Sequence, residues 1–287
     1  MKPRILVVGY LSIDTCETPT MRHDDVPGGA GLYAALAAAR SGADVTLAAA
    51  CGEDYPPVWL ASLREIGIDM SLVERRGGAT RRARLRYTRS GERDSAHHGE
   101  AQWWERTQAL APPVPDSFAG VDAVVMCAMP ADHLGPCIAR ARDAAAISVF
   151  DTSAVFVRRD RADLLALLDA VDIFAASIEE TRLLLPELAD DAAALRLAGA
   201  QRRVLQKRGA RGAVAVDGMT GSMVALAAPP ADVIDPTGAG DATVGALAVS
   251  LAAGEEFIAA ARAALLIGAL SVSGIGPAAL GFAPPMR

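Results

Sequence analysis

Paired cysteines are missing from this sequence. The four present, Cys16, Cys51, Cys127 and Cys137, stand singly among 287 residues, with no C-x-x-C pair and no histidine at zinc-finger spacing. That excludes a zinc-finger module and points to a reduced, cytoplasmic setting. Aromatic residues are few, 5% against an apolar fraction of 52% dominated by alanine, which favours closely packed helices over an aromatic-rich β-sandwich. Positive charge is also short: the net charge is −6 and the pI about 5.3, so the basic footprint needed for nucleic acid or an anionic membrane is lacking. A small-molecule partner fits better. Long apolar runs are absent too. The run after Met1-Lys2-Pro3-Arg4 meets Asp14 before signal-peptide length, and Ala263 to Ile275 is too short to span a bilayer. There is no G-x-x-x-x-G-K-[ST], which excludes a P-loop cradle, and no internal repeat or low-complexity linker.

What is present is an alternation of short apolar runs with longer Ala/Leu stretches, the mark of βαβ units building a mostly parallel sheet. Strands are expected at Ile5–Val8, Val45–Ala49, Ala123–Cys127, Ile147–Phe150, Ile173–Ala175, Arg203–Gln206 and Ala213–Val216. Helices are expected at Gly31–Arg40, Pro57–Ile66, Leu134–Asp143, Arg161–Asp169, Glu179–Leu185, Ala192–Ala198, Gly240–Ala253 and Phe257–Val272. One segment differs. From Thr80 to His98, Arg82, Arg84 and Arg86 alternate with Ala83, Leu85 and Tyr87, and Ser90-Gly91 marks a turn, so a β-hairpin is expected to project from the main sheet. Its arginine row is either a solvated face or a surface for a phosphate or a partner.

The chemistry concentrates in Asp235-Pro236-Thr237-Gly238-Ala239-Gly240-Asp241, just before an apolar helical stretch. Two glycines around one small residue let the N–H groups of Gly238, Ala239 and Gly240 converge, and the helix start adds its positive dipole end, which makes an anion hole. A carboxylate at such a place is either a plain helix cap or a base that takes a proton from an attacking hydroxyl. The string resembles the D-T-x-G-A-G-D signature of the ribokinase-like, or PfkB, carbohydrate kinases, with Pro236 where Thr is usual. The resemblance implies that Asp241 is the general base.

Other stretches follow that family's order. Asp14 resembles its first-strand aspartate, which accepts hydrogen bonds from sugar hydroxyls. Pro27-Gly28-Gly29-Ala30-Gly31-Leu32-Tyr33 resembles its Gly-Gly substrate segment, with Tyr33 where many members place a sugar-binding Asn. The same stretch contains Gly29-x-Gly31-x-x-Ala34 with Glu53 downstream, a dinucleotide-fold look-alike. It is set aside because Met21–Val26 reads as polar and turn-like, not as a strand feeding the glycines. Ser177-Ile178-Glu179-Glu180 sits at the family's N-x-x-E, which implies that Glu180 organises Mg²⁺ through water; a Ser-capped helix start is the alternative. Lys207-Arg208-Gly209-Ala210-Arg211-Gly212 resembles the G-x-x-G turn beside the nucleotide, and Ala260–Val272 with Gly274-Ile275-Gly276 the helix and loop flanking the adenine, with Leu265 where Asn is frequent.

The resemblance spans essentially the whole chain. It implies one doubly wound α/β domain over residues 1–287, with helices on both faces of the sheet, and a β lid drawn from about 13–27 and 80–98 that supports a homodimer. It further implies an ATP- and Mg²⁺-dependent kinase of a sugar or sugar-like alcohol, and a K⁺ near Asp235 and Thr237. Two alternatives stay open: a nucleoside kinase, since Tyr33 could stack on a base, and a silent sugar-binding regulator, given the departures at Tyr33, Ser177 and Leu265. His97-His98 is expected to be solvated, because adjacent strand residues face opposite sides. Trp103-Trp104 is expected either to roof the substrate or to pack at the lid base.

Overall fold

The computed structural model describes residues 1–88, 93–94 and 101–282. In β1 (Arg4–Val8), Ile5 and Val7 enter one core while Leu6 and Val8 enter another. A strand buried on both faces belongs inside a parallel sheet covered by helices. The chain continues through β2 (Ser12–Glu17), β3 (Arg22–Gly28), α1 (Ala30–Arg40), β4 (Asp44–Cys51), α2 (Pro57–Ile66), β5 (Val73–Arg75), β6 (Arg82–Tyr87), β7 (Arg93–Asp94) and α3 (Ala101–Ala109). Then come β8 (Ala123–Met126), α4 (Ala131–Asp143), β9 (Ile147–Phe150), α5 (Ala154–Leu168), β10 (Ile173–Ser177), α6 (Ile178–Leu184), α7 (Asp190–Ala198), β11 (Arg203–Lys207), β12 (Ala213–Asp217), β13 (Ser222–Leu226), α8 (Ala239–Ala252) and α9 (Phe257–Ser271).

The main sheet has nine strands in the order β13-β12-β11-β10-β9-β8-β1-β4-β5. It is parallel from β5 to β11; β12 pairs antiparallel with β11, and β13 antiparallel with β12. Strand order reverses between β1 and β8, and ligands of such sheets bind beyond the carboxyl ends at that reversal. Helices α1, α2, α8 and α9 cover one face and α4 to α7 the other. Helix α8 is buried almost all round, as an apolar helix between a sheet and two neighbours must be. A Cβ on its Gly245 would overlap the Ala34 carbonyl of α1, so glycine is what permits that close approach. Among the described residues no helix is long and apolar enough to cross a membrane.

A second sheet, β3-β2-β6-β7, sits over the carboxyl edge as a lid. Its inner face joins Cys16, Val26 and Leu85, with Ala83 and Tyr87 packed beside them. Its outer face is charged: Arg82 pairs with Asp25 and Asp54, and Arg84 with Glu17. The alternation in β6 is the one expected, and the arginine row is a solvated face laced with ion pairs. The Ser90-Gly91 turn and His97-His98 lie outside the described residues.

Met21–Val26 requires a correction. Arg22–Gly28 is a strand, and it leads directly into α1. As an edge strand buried only at Val26, Pro27 and Gly28, it can carry polar residues and a proline. The ground for setting aside the dinucleotide look-alike therefore fails, but that strand lies in the lid sheet, so no parallel βαβ unit forms around the glycines. The helix expected from Arg161 is the second half of α5, whose backbone leaves helical geometry at Asp160.

Candidate active site

Strands β9, β10 and β11 deliver Asp151, Ser177 and Lys207 to one edge of the sheet, where a cleft of about 1570 Å³ runs beneath the lid. That is ample for two small-molecule substrates. Helix α8 opens onto this cleft. Its N-cap, Gly238, has φ 75°, a left-handed conformation that glycine adopts without penalty. A Cβ at Gly238 would also overlap the Tyr33 ring. Ala239 N–H makes only a long contact, 3.5 Å, to the Pro236 carbonyl. Gly240 and Asp241 follow in the first helical turn, where N–H groups lack intrahelical acceptors. The loop is held from behind. The Asp235 carboxylate accepts the N–H of Thr237 and of Gly276, both at 2.9 Å, and the Thr237 hydroxyl donates to Tyr87 of the lid at 3.0 Å. Asp235, Thr237 and Gly276 thus brace the loop, and Gly276 is not among the described residues that line the cleft.

Beside this cradle lies a buried charge cluster. Lys207 Nζ pairs with Asp151 and stands 3.1 Å from where a Cβ on Gly240 would be. Burial pulls the Lys207 ammonium down, and the carboxylates of Asp151, Glu180 and Asp241 more than compensate, so its pKa is raised. Burial also raises Asp151, against the pull of Lys207. Glu180 is pushed up to about 7, chiefly by burial and then by the neighbouring Asp151 charge. Glu180 also forms the Ser-capped helix start that stood as the alternative to a metal role: its Oε2 accepts the Ser177 N–H at 2.6 Å, and its own N–H donates to Ser177 Oγ at 3.2 Å. Sequence reasoning missed Asp151. The signal was available, since it directly follows the apolar run Ile147–Phe150, at the carboxyl end of a parallel strand. Gly209 and Gly212 form the turn after Lys207, with Gly212 at φ 82° against the Leu226 carbonyl.

At the far end of the cleft, buried Asp14 accepts the Ala83 N–H at 3.1 Å. A Cβ on Gly28 would overlap its carboxylate, and one on Gly29, at φ 100°, the Tyr10 carbonyl. Asp14, Gly28 and Gly29 are therefore one packed unit. Tyr33 borders the cleft but is 1% exposed. Its ring supports Gly238, and its hydroxyl finds no hydrogen-bond partner among the described residues. The wall here is aromatic. Trp103 lies 6.3 Å from Phe156, and Tyr10, fixed by a hydrogen bond to the Thr107 carbonyl, carries the Arg81 guanidinium 4.0 Å above its ring. Of the tryptophan pair, Trp103 lines the cleft while Trp104 packs on Phe156 and Arg159.

A family model described as pfkB family carbohydrate kinase matches residues 4–281. A cytidine kinase of Thermococcus kodakarensis is 28% identical over 244 residues, covering 84% of this chain and 86% of that protein. Among solved structures, a Burkholderia thailandensis nucleoside kinase in complex with inosine superposes with a TM-score of 0.78 at 22% identity, covering 98% and 94% of the two chains. A putative ribokinase II from E. coli in complex with ATP and Mg²⁺ gives 0.76 at 20% identity, covering 96% and 94%.

Proposed function

The chain belongs to the pfkB family of carbohydrate kinases and is an ATP-dependent phosphotransferase with an alcohol acceptor; from that premise we propose that its acceptor is a nucleoside, phosphorylated on a ribose hydroxyl. The observation that carries this reading is the room beside Asp14: the cleft of about 1570 Å³ continues past that carboxylate along a wall backed by the buried rings of Tyr10, Trp103 and Phe156. A bare pentose would leave much of that space unfilled, whereas a nucleoside offers hydroxyls to Asp14 and a base to occupy the rest. The cytidine kinase and the inosine-bound nucleoside kinase support the same choice.

Asp241 takes the hydroxyl proton, the N–H groups at the start of α8 hold the charge that develops on the phosphoryl oxygens, and Lys207 supplies a cation beside them. Asp14 orients the acceptor, Gly28 leaves room for the Asp14 carboxylate and Gly29 for the Tyr10 carbonyl, and the Gly209–Gly212 turn shapes the nucleotide side. The residues fit a Mg²⁺: Asp151 and Glu180 share one ammonium and offer the hard oxygen donors it prefers. Among the described residues no three metal-ligating side chains converge, so Glu180 would hold the ion through water. Bound there, Mg²⁺ neutralises phosphate charge.

The test is a panel of cytidine, inosine, adenosine, uridine, ribose, fructose and inositol, scored by kcat/KM for ADP release with the product identified by phosphorus NMR. Nucleosides should lead and ribose should be poor. Ribose or fructose as the best substrate would overturn the reading.

A further inference from the structure

In the lid, Arg81 precedes β6, and its carbonyl accepts the Ile13 N–H at 2.9 Å, so it continues the ladder with β2. Strand alternation then sets it on the face of Ala83, Leu85 and Tyr87, turned toward the body, and opposite Arg82, Arg84 and Arg86. Among the described residues of this strand it is the basic residue on the inner face. Its guanidinium lines the cleft, 4.0 Å above the Tyr10 ring and 5.1 Å from that of Trp103. Two aromatic faces fix the plane of the fork, which makes it a preset reader instead of a swinging charge. Two residues along the same strand, Ala83 N–H anchors Asp14.

The acceptor end therefore has two poles. Asp14 in its ionised form only accepts hydrogen bonds, which suits vicinal hydroxyls. Arg81 only donates, through a planar fork that matches two acceptors side by side. Resting on the nucleoside reading above, we propose that Arg81 reads the base and selects nucleosides whose base presents two adjacent acceptors. Cytosine does so with O2 and N3, and hypoxanthine and guanine with O6 and N7. Adenine sets an amino donor beside N7, and uracil sets N3–H beside each carbonyl, so both leave one arm of the fork facing a donor.

The experiment measures kcat/KM for cytidine, inosine, adenosine, uridine, ribose and gluconate with the natural enzyme, Arg81→Gln and Arg81→Ala. The ratio of two substrates on one preparation cancels the fraction of active protein, so partial unfolding does not blur the readout. The natural enzyme should favour cytidine and inosine over adenosine and uridine. Glutamine offers a donor beside an acceptor, which matches adenine, so Arg81→Gln should shift the cytidine-to-adenosine ratio toward adenosine by roughly 10- to 100-fold, as for a lost bidentate base contact. Arg81→Ala should collapse the ratio toward unity. If nucleosides remain the best substrates but neither variant moves the ratio by more than about threefold, this inference is overturned and the nucleoside reading survives. If ribose leads on the natural enzyme, both fall. If gluconate leads, Arg81 reads a carboxylate and the inference is likewise overturned.

Discussion

Replacing Gly238 with alanine brings together two physical costs that coincide in the loop opening α8. The first is conformational: at φ 75° an L-residue is strained by roughly 1–2 kcal/mol. The second is steric, because the new methyl would overlap the Tyr33 ring, and overpacking of this kind costs roughly 1–3 kcal/mol. Gly67 supplies the control. It ends α2 at φ 97° with nothing within 4 Å of a Cβ, so Gly67→Ala bears the first cost alone. Urea unfolding should give a loss of roughly 1–2 kcal/mol for Gly67→Ala and about 2–5 kcal/mol for Gly238→Ala. Turnover divides them further. Gly67→Ala should leave kcat unchanged, whereas Gly238→Ala displaces Gly240 and Asp241 and should lower kcat by at least tenfold. Equal losses of stability in the two variants would refute the argument, since the ring would then not bear on the loop.

Asp241→Asn should keep the fold and ATP binding, measured by calorimetry, while kcat falls by at least two orders of magnitude, in the range for loss of a general base; near-normal turnover would remove Asp241 from that role. Glu180 gives a pH signature in the ligand-free protein. Its folded-state pKa is raised to about 7, so the folded chain holds this proton more tightly than the unfolded one. The stabilisation is complete below the ordinary glutamate value and fades as pH rises through about 7. The melting temperature should fall between about pH 5 and about pH 8, and Glu180→Gln should flatten part of that slope, leaving the share due to Asp151, whose pKa is also raised. An unchanged slope in the variant would show that Glu180 is not buried against Asp151.

The main sheet was readable because its strands are buried on both faces and spell continuous apolar runs; Ile147–Phe150 appears in the structure with the expected ends. Strands at edges were not. Arg22–Gly28, Val73–Arg75 and Ser222–Leu226 are largely exposed along their length and carry the polar residues that solvent allows. Helix α3 escaped notice because its aromatic pair was read as roof or lid packing, not as part of a helical face. The signature loop was legible since its function depends on consecutive residues. The pairing of Asp151 with Lys207 depends on two strands meeting, 56 residues apart, and no local pattern announces it. Tyr33 was read as facing the acceptor, while the structure sets its ring beneath Gly238.

The alternation of one strand has a consequence for how acceptor choice can change. Along residues 81–87, the outward positions meet water through ion pairs, the inward Leu85 packs on Cys16 and Val26 while Tyr87 holds the signature loop through Thr237, and the first two inward positions, Arg81 and Ala83, border the cleft beside Asp14. Solubility, cradle integrity and substrate choice are thus written on separate letters of the same short word. On the proposed role of Arg81, drift at Arg81 and Ala83 would redirect the enzyme toward a new alcohol while leaving the contact between Tyr87 and Thr237 in place, which makes this strand the natural place for a laboratory library.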